Sequence, residues 1–202
     1  MKAMKLLIRG GSIAAGYGVS RSYVDILRDH YASWNVSVIN RSNPQETSFE
    51  GIWTFQEEID PYRPDILLLH FGIDDAFLSV YRSEFKENLV NIVRLATARF
   101  QPAILLLTSH TFDNPHDMNS VSIYYRTIRE VSVELHCEMV PIHTYWAGYL
   151  DDHHLENVTL VQEDVRYPNE RGHEIFAHAV MARLDRIIPL IAGTSGTSPL
   201  RH

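Results

Sequence analysis

The sequence predicts an α/β fold: a five-stranded parallel sheet with helices on both faces, three layers in all, in the flavodoxin-like strand order 2-1-3-4-5. Short apolar runs alternate along the chain with longer segments of helical periodicity. Parallel strands joined by helices wind right-handedly into a sheet covered on both sides. Two of the runs, residues 65–70 and 103–108, are apolar on consecutive positions, as strands buried on both faces require. The strand order itself is an analogy with other doubly wound sheets. Such sheets bind ligands at the carboxyl ends of their strands, near the point where the order reverses.

Met4-Lys5-Leu6-Leu7-Ile8-Arg9 reads as the first strand and stops at Gly10-Gly11. Tyr23, Ile26, Leu27, Tyr31 and Trp34 then recur at helical spacing, ahead of a second strand at Val36-Ser37-Val38-Ile39. The third strand, residues 65–70, is followed by a helix carrying Phe85, Leu89, Ile92, Val93 and Ala96. After the fourth strand, residues 103–108, the helical set is Ile123, Ile128, Val131 and Leu135, and the fifth strand is residues 138–142. A final helix is expected over residues 170–191, with Phe176, Val180, Leu184 and Ile187 or Ile188 on one face. Residues 1–192 thus form one predicted domain, and residues 193–202, rich in Gly, Ser and Thr, form an expected disordered tail.

Composition narrows the function classes. A chain of 202 residues with 45% hydrophobic content has room for a full core. Its net charge of −7 and its scattered 18 lysines and arginines argue against nucleic acid or an anionic membrane as partner and favour a small-molecule substrate. The one cysteine, Cys137, excludes an intramolecular disulfide framework and reads as a buried small hydrophobe in a reducing compartment. The apolar run after Lys2 and Lys5 is too short for a signal peptide, and no stretch approaches the ~20 apolar residues of a membrane span. A soluble, cytoplasmic protein is expected, with no metal or cofactor and an oligomeric state the sequence leaves open.

Gly10-Gly11-Ser12 places a hydroxyl on a tight turn at the carboxyl end of the first strand. Turn N–H groups there can receive an oxyanion. A turn serine without function is the simpler reading of this segment alone. Gly11, Gly16 and Gly18 do not make a dinucleotide fingerprint, and no P-loop is completed.

Four blocks in order give the chain a resemblance to the SGNH (GDSL-type) hydrolases over nearly its whole length. They are Gly10-Gly11-Ser12, the segment 40–48, the segment Gly72-Ile73-Asp74-Asp75 after a strand, and Asp164-Val165-Arg166-Tyr167 before the last helix. The resemblance implies a three-layer α/β/α esterase or acyltransferase with Ser12 as nucleophile and oxyanion- or substrate-binding positions at Gly11, Gln45, Gly72 and Asp75. It implies that Asp164 orients a base. The chain departs from the family's pattern at four positions. Gly11 replaces an Asp, Gln45 falls where a Gly supplies a backbone N–H, Asp74 replaces an Asn, and Tyr167 replaces the catalytic His.

The last two departures bear on chemistry. An ionised carboxylate repels a developing oxyanion, so Asp74 is expected to be protonated, turned away or bound to a cation. A phenol with a pKa near 10 cannot readily activate a serine. His173, His154 of the Asp151-Asp152-His153-His154 run, and His110 are the candidate replacement bases, each with a structural reading beside it: a packing or capping histidine, a solvated acidic loop, a polar loop with ordinary surface histidines. His110 with Asp113, His116, Asp117 and Asp74 or Asp75 offers metal-type ligands at a spacing that matches no metal motif. Tyr145, Trp146 and Tyr149 either line an apolar pocket or pack in the core. The alternative to an enzyme is a protein of this fold that binds a small ligand or runs another reaction through Asp74, Asp75 and Tyr167.

Overall fold

A computed structural model describes residues 3–194. Five strands, β1 (Met4–Gly10), β2 (Val36–Asn40), β3 (Ile66–His70), β4 (Ala103–Leu107) and β5 (Glu138–Val140), form one sheet in the order β2-β1-β3-β4-β5, as expected. All four pairings are parallel, and Gly10 lies opposite His70 at the ends of β1 and β3. The order reverses between these two strands, so the chain leaving each of them borders the same crevice.

The consecutive apolar residues of the central strands separate to the two faces. Leu6, Ile8, Ile66, Leu68, Leu105 and Leu107 join one core with helices α2 (Tyr23–Tyr31), α8 (Ile142–His153) and α9 (Glu170–Thr194). Leu7, Leu67, Leu69, Ile104 and Leu106 join the other with α4 (Phe55–Glu58), α6 (Arg82–Phe100) and α7 (Pro115–Glu134). Each such side chain contributes about 1.5–3 kcal/mol on burial, which makes this double-sided register the main determinant of the architecture.

Three short helices frame the crevice: α1 (Ser12–Ala15), α3 (Ser48–Trp53) and α5 (Ile73–Phe77). The first ends on Gly16, whose φ of 77° suits glycine. The second begins with a capping box in which Thr47 and Glu50 satisfy each other's backbone N–H groups. The third starts from Gly72, whose φ of 127° is a conformation that side chains resist.

Some expectations need correction. Trp34 lies in a short 3₁₀ turn, 42% exposed, because α2 stops at Tyr31 and Asn35 turns left-handed before β2. Ile123 is on the outer side of α7, whose inner face carries Val121, Tyr124, Tyr125, Ile128 and Val131. The last helix continues through Gly193 to Thr194, and residues 195–202 of the expected tail lie outside the described residues. Tyr145, Trp146 and Tyr149 sit on α8, and only Trp146 is fully buried, its indole N–H donating to Asn157 Oδ1 at 2.6 Å. Cys137 is half-buried, and its thiol pKa is pushed up to about 11 by desolvation. Among the described residues, no helix is long and apolar enough to cross a membrane.

Candidate active site

Ser12 is the first residue of α1, two positions past the end of β1, and is fully buried. Its hydroxyl accepts the backbone N–H of Gln45 at 2.8 Å and donates to Asp74 Oδ1 at 2.8 Å. The Ser12 backbone N–H donates to the other Asp74 oxygen, Oδ2, at 2.7 Å. The Tyr167 phenol is a further hydrogen-bonding neighbour of the Ser12 side chain. Residues from four separate stretches of sequence therefore meet on one hydroxyl.

Each partner is placed by a local cause. Gln45 has a φ of 64°, the left-handed region that glycine adopts readily. Its loop is held by Glu46, whose carboxylate pairs with Arg9, the penultimate residue of β1, and also accepts from Asn43 at 3.0 Å. Arg9 is fully buried, donates to Thr54 Oγ1 at 2.9 Å, and lies over the Phe71 ring at 5.9 Å. At the other end of the loop, Asn40 donates to Ala14 O at 2.8 Å and ties β2 to α1.

Asp74 reaches Ser12 because residue 11 is glycine. A Cβ on Gly11 would lie 2.0 Å from Asp74 Oδ2 and 2.4 Å from Glu46 O, a clash that no rotamer of residue 11 relieves. The two departures at positions 11 and 74 are thus physically coupled: the carboxylate occupies the space that a side chain at position 11 would need. Of the alternatives the sequence left for Asp74, the structure departs from one, turning away from the site. The carboxylate is turned onto Ser12. Burial raises its pKa, opposed by the two Ser12 hydrogen bonds and by the charge of Arg166.

Gly72 and Asp75 do not face the hydroxyl. The Gly72 N–H is consumed by Asp75 Oδ2 at 2.9 Å, and Asp75 Oδ1 accepts the Ser48 N–H at 2.9 Å. Asp75 is fully buried, and its pKa is raised to about 6 by desolvation, against these hydrogen bonds. It joins the start of α3 to the start of α5, which makes it a structural clamp where a substrate contact was expected.

The block before α9 also differs from expectation. Asp164 orients no base: it is held by Arg166, whose Nε donates to its two oxygens at 2.8 and 3.0 Å, and this pairing keeps its pKa low. Arg166, which sequence reasoning passed over, lies over the rings of Phe77 at 5.5 Å and Tyr167 at 5.4 Å. Tyr167 packs against Tyr17 with ring centroids 5.0 Å apart, and burial raises its phenol pKa, so it remains a proton donor at neutral pH.

None of the three candidate histidines reaches Ser12. His110 is buried, with Nε2 on Val165 O at 3.0 Å and Nδ1 on Ser109 Oγ at 3.0 Å. His173 is buried against Tyr23, whose backbone N–H it accepts at 3.1 Å. His154 is exposed at the left-handed end of α8. Burial lowers the pKa of His110 and of His173 to about 4 each, and that of a third buried imidazole, His70, to about 3. His116 and Asp117 lie in the first turn of α7, and among the described residues no three His, Cys, Asp or Glu side chains converge as a metal site.

A cavity of about 100 Å³ opens beside this cluster, lined by Gln45, Ile73, Asp74, Phe77, Leu78, Arg166 and Tyr167. Three of these residues bond Ser12, which is itself buried and does not line the cavity, so the cavity lies one residue away from the hydroxyl.

Comparison with known proteins bears on the fold and the family. Residues 9–175 match the GDSL-like lipase/acylhydrolase family. An arylesterase from Vibrio mimicus is 28% identical over 95 residues, 45% of this chain, and the match covers about half of that protein, 48%. Among solved structures, an α/β hydrolase enzyme from the metagenome of Lake Arreo superposes with a TM-score of 0.78 at 21% identity, covering 90% of this chain and 95% of that one. An acetylxylan esterase from Geobacillus stearothermophilus gives 0.77 at 21% identity, with the same coverage of 90% and 95%. A lipase/acylhydrolase from Enterococcus faecalis gives 0.74 at 19%, again covering 90% and 95%. These structural likenesses establish the shared three-layer fold, and the family match over most of the chain establishes its kinship: the protein belongs to the GDSL-like lipase/acylhydrolase family, the SGNH hydrolases.

Proposed function

We propose that the protein is a serine esterase, or acyltransferase, that acts on short acyl esters of small molecules with Ser12 as nucleophile. The observation that carries this reading is the Ser12 hydroxyl itself, which receives the Gln45 N–H at 2.8 Å beside the cavity. Backbone N–H groups so placed stabilise the oxyanion of acyl transfer. A water occupies about 30 Å³ of liquid and drug-sized pockets span roughly 300–1,000 Å³. A cavity of about 100 Å³ therefore suits an acyl chain of a few heavy atoms. Ile73, Phe77 and Leu78 give it an apolar wall, and Tyr167 offers a hydrogen-bond donor to the leaving oxygen. The relatives named as an arylesterase and an acetylxylan esterase support the same reaction class.

The test is turnover of p-nitrophenyl acetate, butyrate and octanoate by the wild type and Ser12→Ala. Acetate and butyrate are expected to turn over, octanoate much less, and all Ser12-dependent turnover is expected to vanish in Ser12→Ala. Equal rates in the two proteins would overturn the assignment of the nucleophile, and a preference for octanoate would overturn the short-chain reading.

A further inference from the structure

We propose that Asp74 is the group that accepts the Ser12 proton, so that a serine–aspartate pair replaces the histidine this chain lacks; the inference rests on Ser12 being the nucleophile. The hydroxyl donates directly to Asp74 Oδ1 at 2.8 Å, within the reach required of a general base. No imidazole shares that position, and the carboxylate that the family pattern would assign to orienting a base, Asp164, is bound to Arg166. Asp74 is the basic group in contact with the reacting oxygen.

The chemistry balances with these groups alone. As Ser12 Oγ bonds to the acyl carbon, its proton passes to Asp74 Oδ1 and the carbonyl π pair moves onto the carbonyl oxygen. The intermediate collapses by breaking the bond to the leaving oxygen, which takes the proton from Asp74. In the second half, Asp74 accepts a proton from water as the water oxygen adds to the acyl carbon. The bond from that carbon to Ser12 Oγ then breaks, Oγ recovers the proton, and the carboxylic acid departs.

This role also removes the electrostatic objection to a carboxylate at position 74. Asp74 is negative only while the hydroxyl is intact, and it becomes a neutral acid as the negative charge develops on the substrate. A neutral carboxyl accepts hydrogen bonds more weakly than a carboxylate. The Ser12 N–H, engaged by Oδ2 at rest, is then released to join the Gln45 N–H around the oxyanion.

The surroundings of Asp74 suit a base. The charged and titratable groups facing it are Arg166 and Tyr167 from the chain before α9, Asp75 beside it on α5, and His70 across a space of about 10 Å³ shared with Ile13 and Ile73. Burial raises its pKa and makes its carboxylate a stronger base than an exposed one, and the Arg166 charge opposes that rise.

The experiment is kcat/KM for p-nitrophenyl acetate from pH 4.5 to 9 with the full-length wild type, Ser12→Ala and Asp74→Asn, each checked by thermal unfolding. The wild type is expected to lose activity with one proton on the acid side and to show no further inflection at the pH of a free imidazole. Asp74→Asn should lose about 10²- to 10⁴-fold, the range a general base contributes, together with that acid limb. An Asp74→Asn as active as the wild type, or one that keeps the limb, overturns the inference and leaves the nucleophile standing. Turnover independent of Ser12 overturns the proposed function and this inference with it. If Asp74→Asn does not fold, Asp74→Ala assayed with added formate decides the matter. Recovery of Ser12-dependent turnover supports the inference, and its absence overturns it.

Discussion

Replacing Glu46 by Gln is expected to destabilise the protein through a residue that no substrate touches. Arg9 is fully buried at the end of β1 and is ion-paired with Glu46, with the Glu50 carboxylate a second charge, outside the pair, that feels it. Removing one member of a buried ion pair costs about 3–5 kcal/mol because the other charge is left uncompensated. Here two features reduce that cost. The Glu46 side chain is 19% exposed, so water screens its side of the pair, and the glutamine oxygen can still accept one hydrogen bond. The remaining Arg9 bonds, to Thr54 Oγ1 at 2.9 Å and Gly10 O at 3.5 Å, are unchanged. A loss of about 2–3 kcal/mol is expected from these terms, read as a lower urea midpoint at constant slope. In an Arg9→Met background the same substitution should cost less than about 0.5 kcal/mol, because the charge it exposes is gone. Glu46→Gln within about 0.5 kcal/mol of the wild type, or an equal cost in both backgrounds, would refute the view that this pair anchors the loop carrying Gln45.

Gly11→Ala should cost at least about 2 kcal/mol by overpacking and by displacing a charged hydrogen-bond acceptor, since its Cβ would lie 2.0 Å from Asp74 Oδ2; near-wild-type stability with full activity would contradict the coupling of positions 11 and 74. Tyr167→His adds an imidazole beside Ser12, but Arg166 holds Asp164. The single variant should therefore gain less ester hydrolysis than Tyr167→His/Arg166→Ala, with a new inflection near pH 6.5, and equal gains would show that Asp164 is not withheld by Arg166. Asp75 has a folded-state pKa of about 6 against 3.8 for the free group. Its contribution to stability is therefore full below about pH 4 and falls by about 3 kcal/mol as pH rises through 6. Comparing urea unfolding of wild type and Asp75→Asn at pH 4.5 and 6.5 checks the sign: the decline between those pH values should shrink in the variant.

The sheet was readable in the sequence because its determinants are local. Consecutive apolar residues at 66–69 and 104–107 state that both faces of β3 and β4 are covered, and the helical spacing between strands states what covers them. The short helices α3 and α5 escaped because their signals are a capping box and a glycine, not apolar periodicity, and the twelve-residue α8 escaped because it follows β5 directly, with Pro141 at its N-cap and no side-chain cap. The four blocks located the candidate site, but not what its residues do. Asp74 and Ser12 are separated by 62 residues, and nothing local reveals that the carboxylate turns onto the hydroxyl through the space a side chain at position 11 would fill. Arg9 looked like the polar end of a strand, and Arg166 like a loop residue between two motif positions. Their importance comes from buried or facing partners at Glu46, Phe77 and Tyr167 that only the folded chain supplies. The histidines misled for the opposite reason. His110 and His173 stand near the expected chemistry in sequence, yet each ring is committed elsewhere in the core.

The central claim, that Ser12 is a nucleophile, is tested most directly by reacting the protein with a small fluorophosphonate and locating the adduct by peptide mass spectrometry. One phosphonyl group per chain is expected, on the peptide containing Ser12, absent in Ser12→Ala and formed more slowly by Asp74→Asn. No adduct on that peptide, or the same labelling in Ser12→Ala, would contradict it.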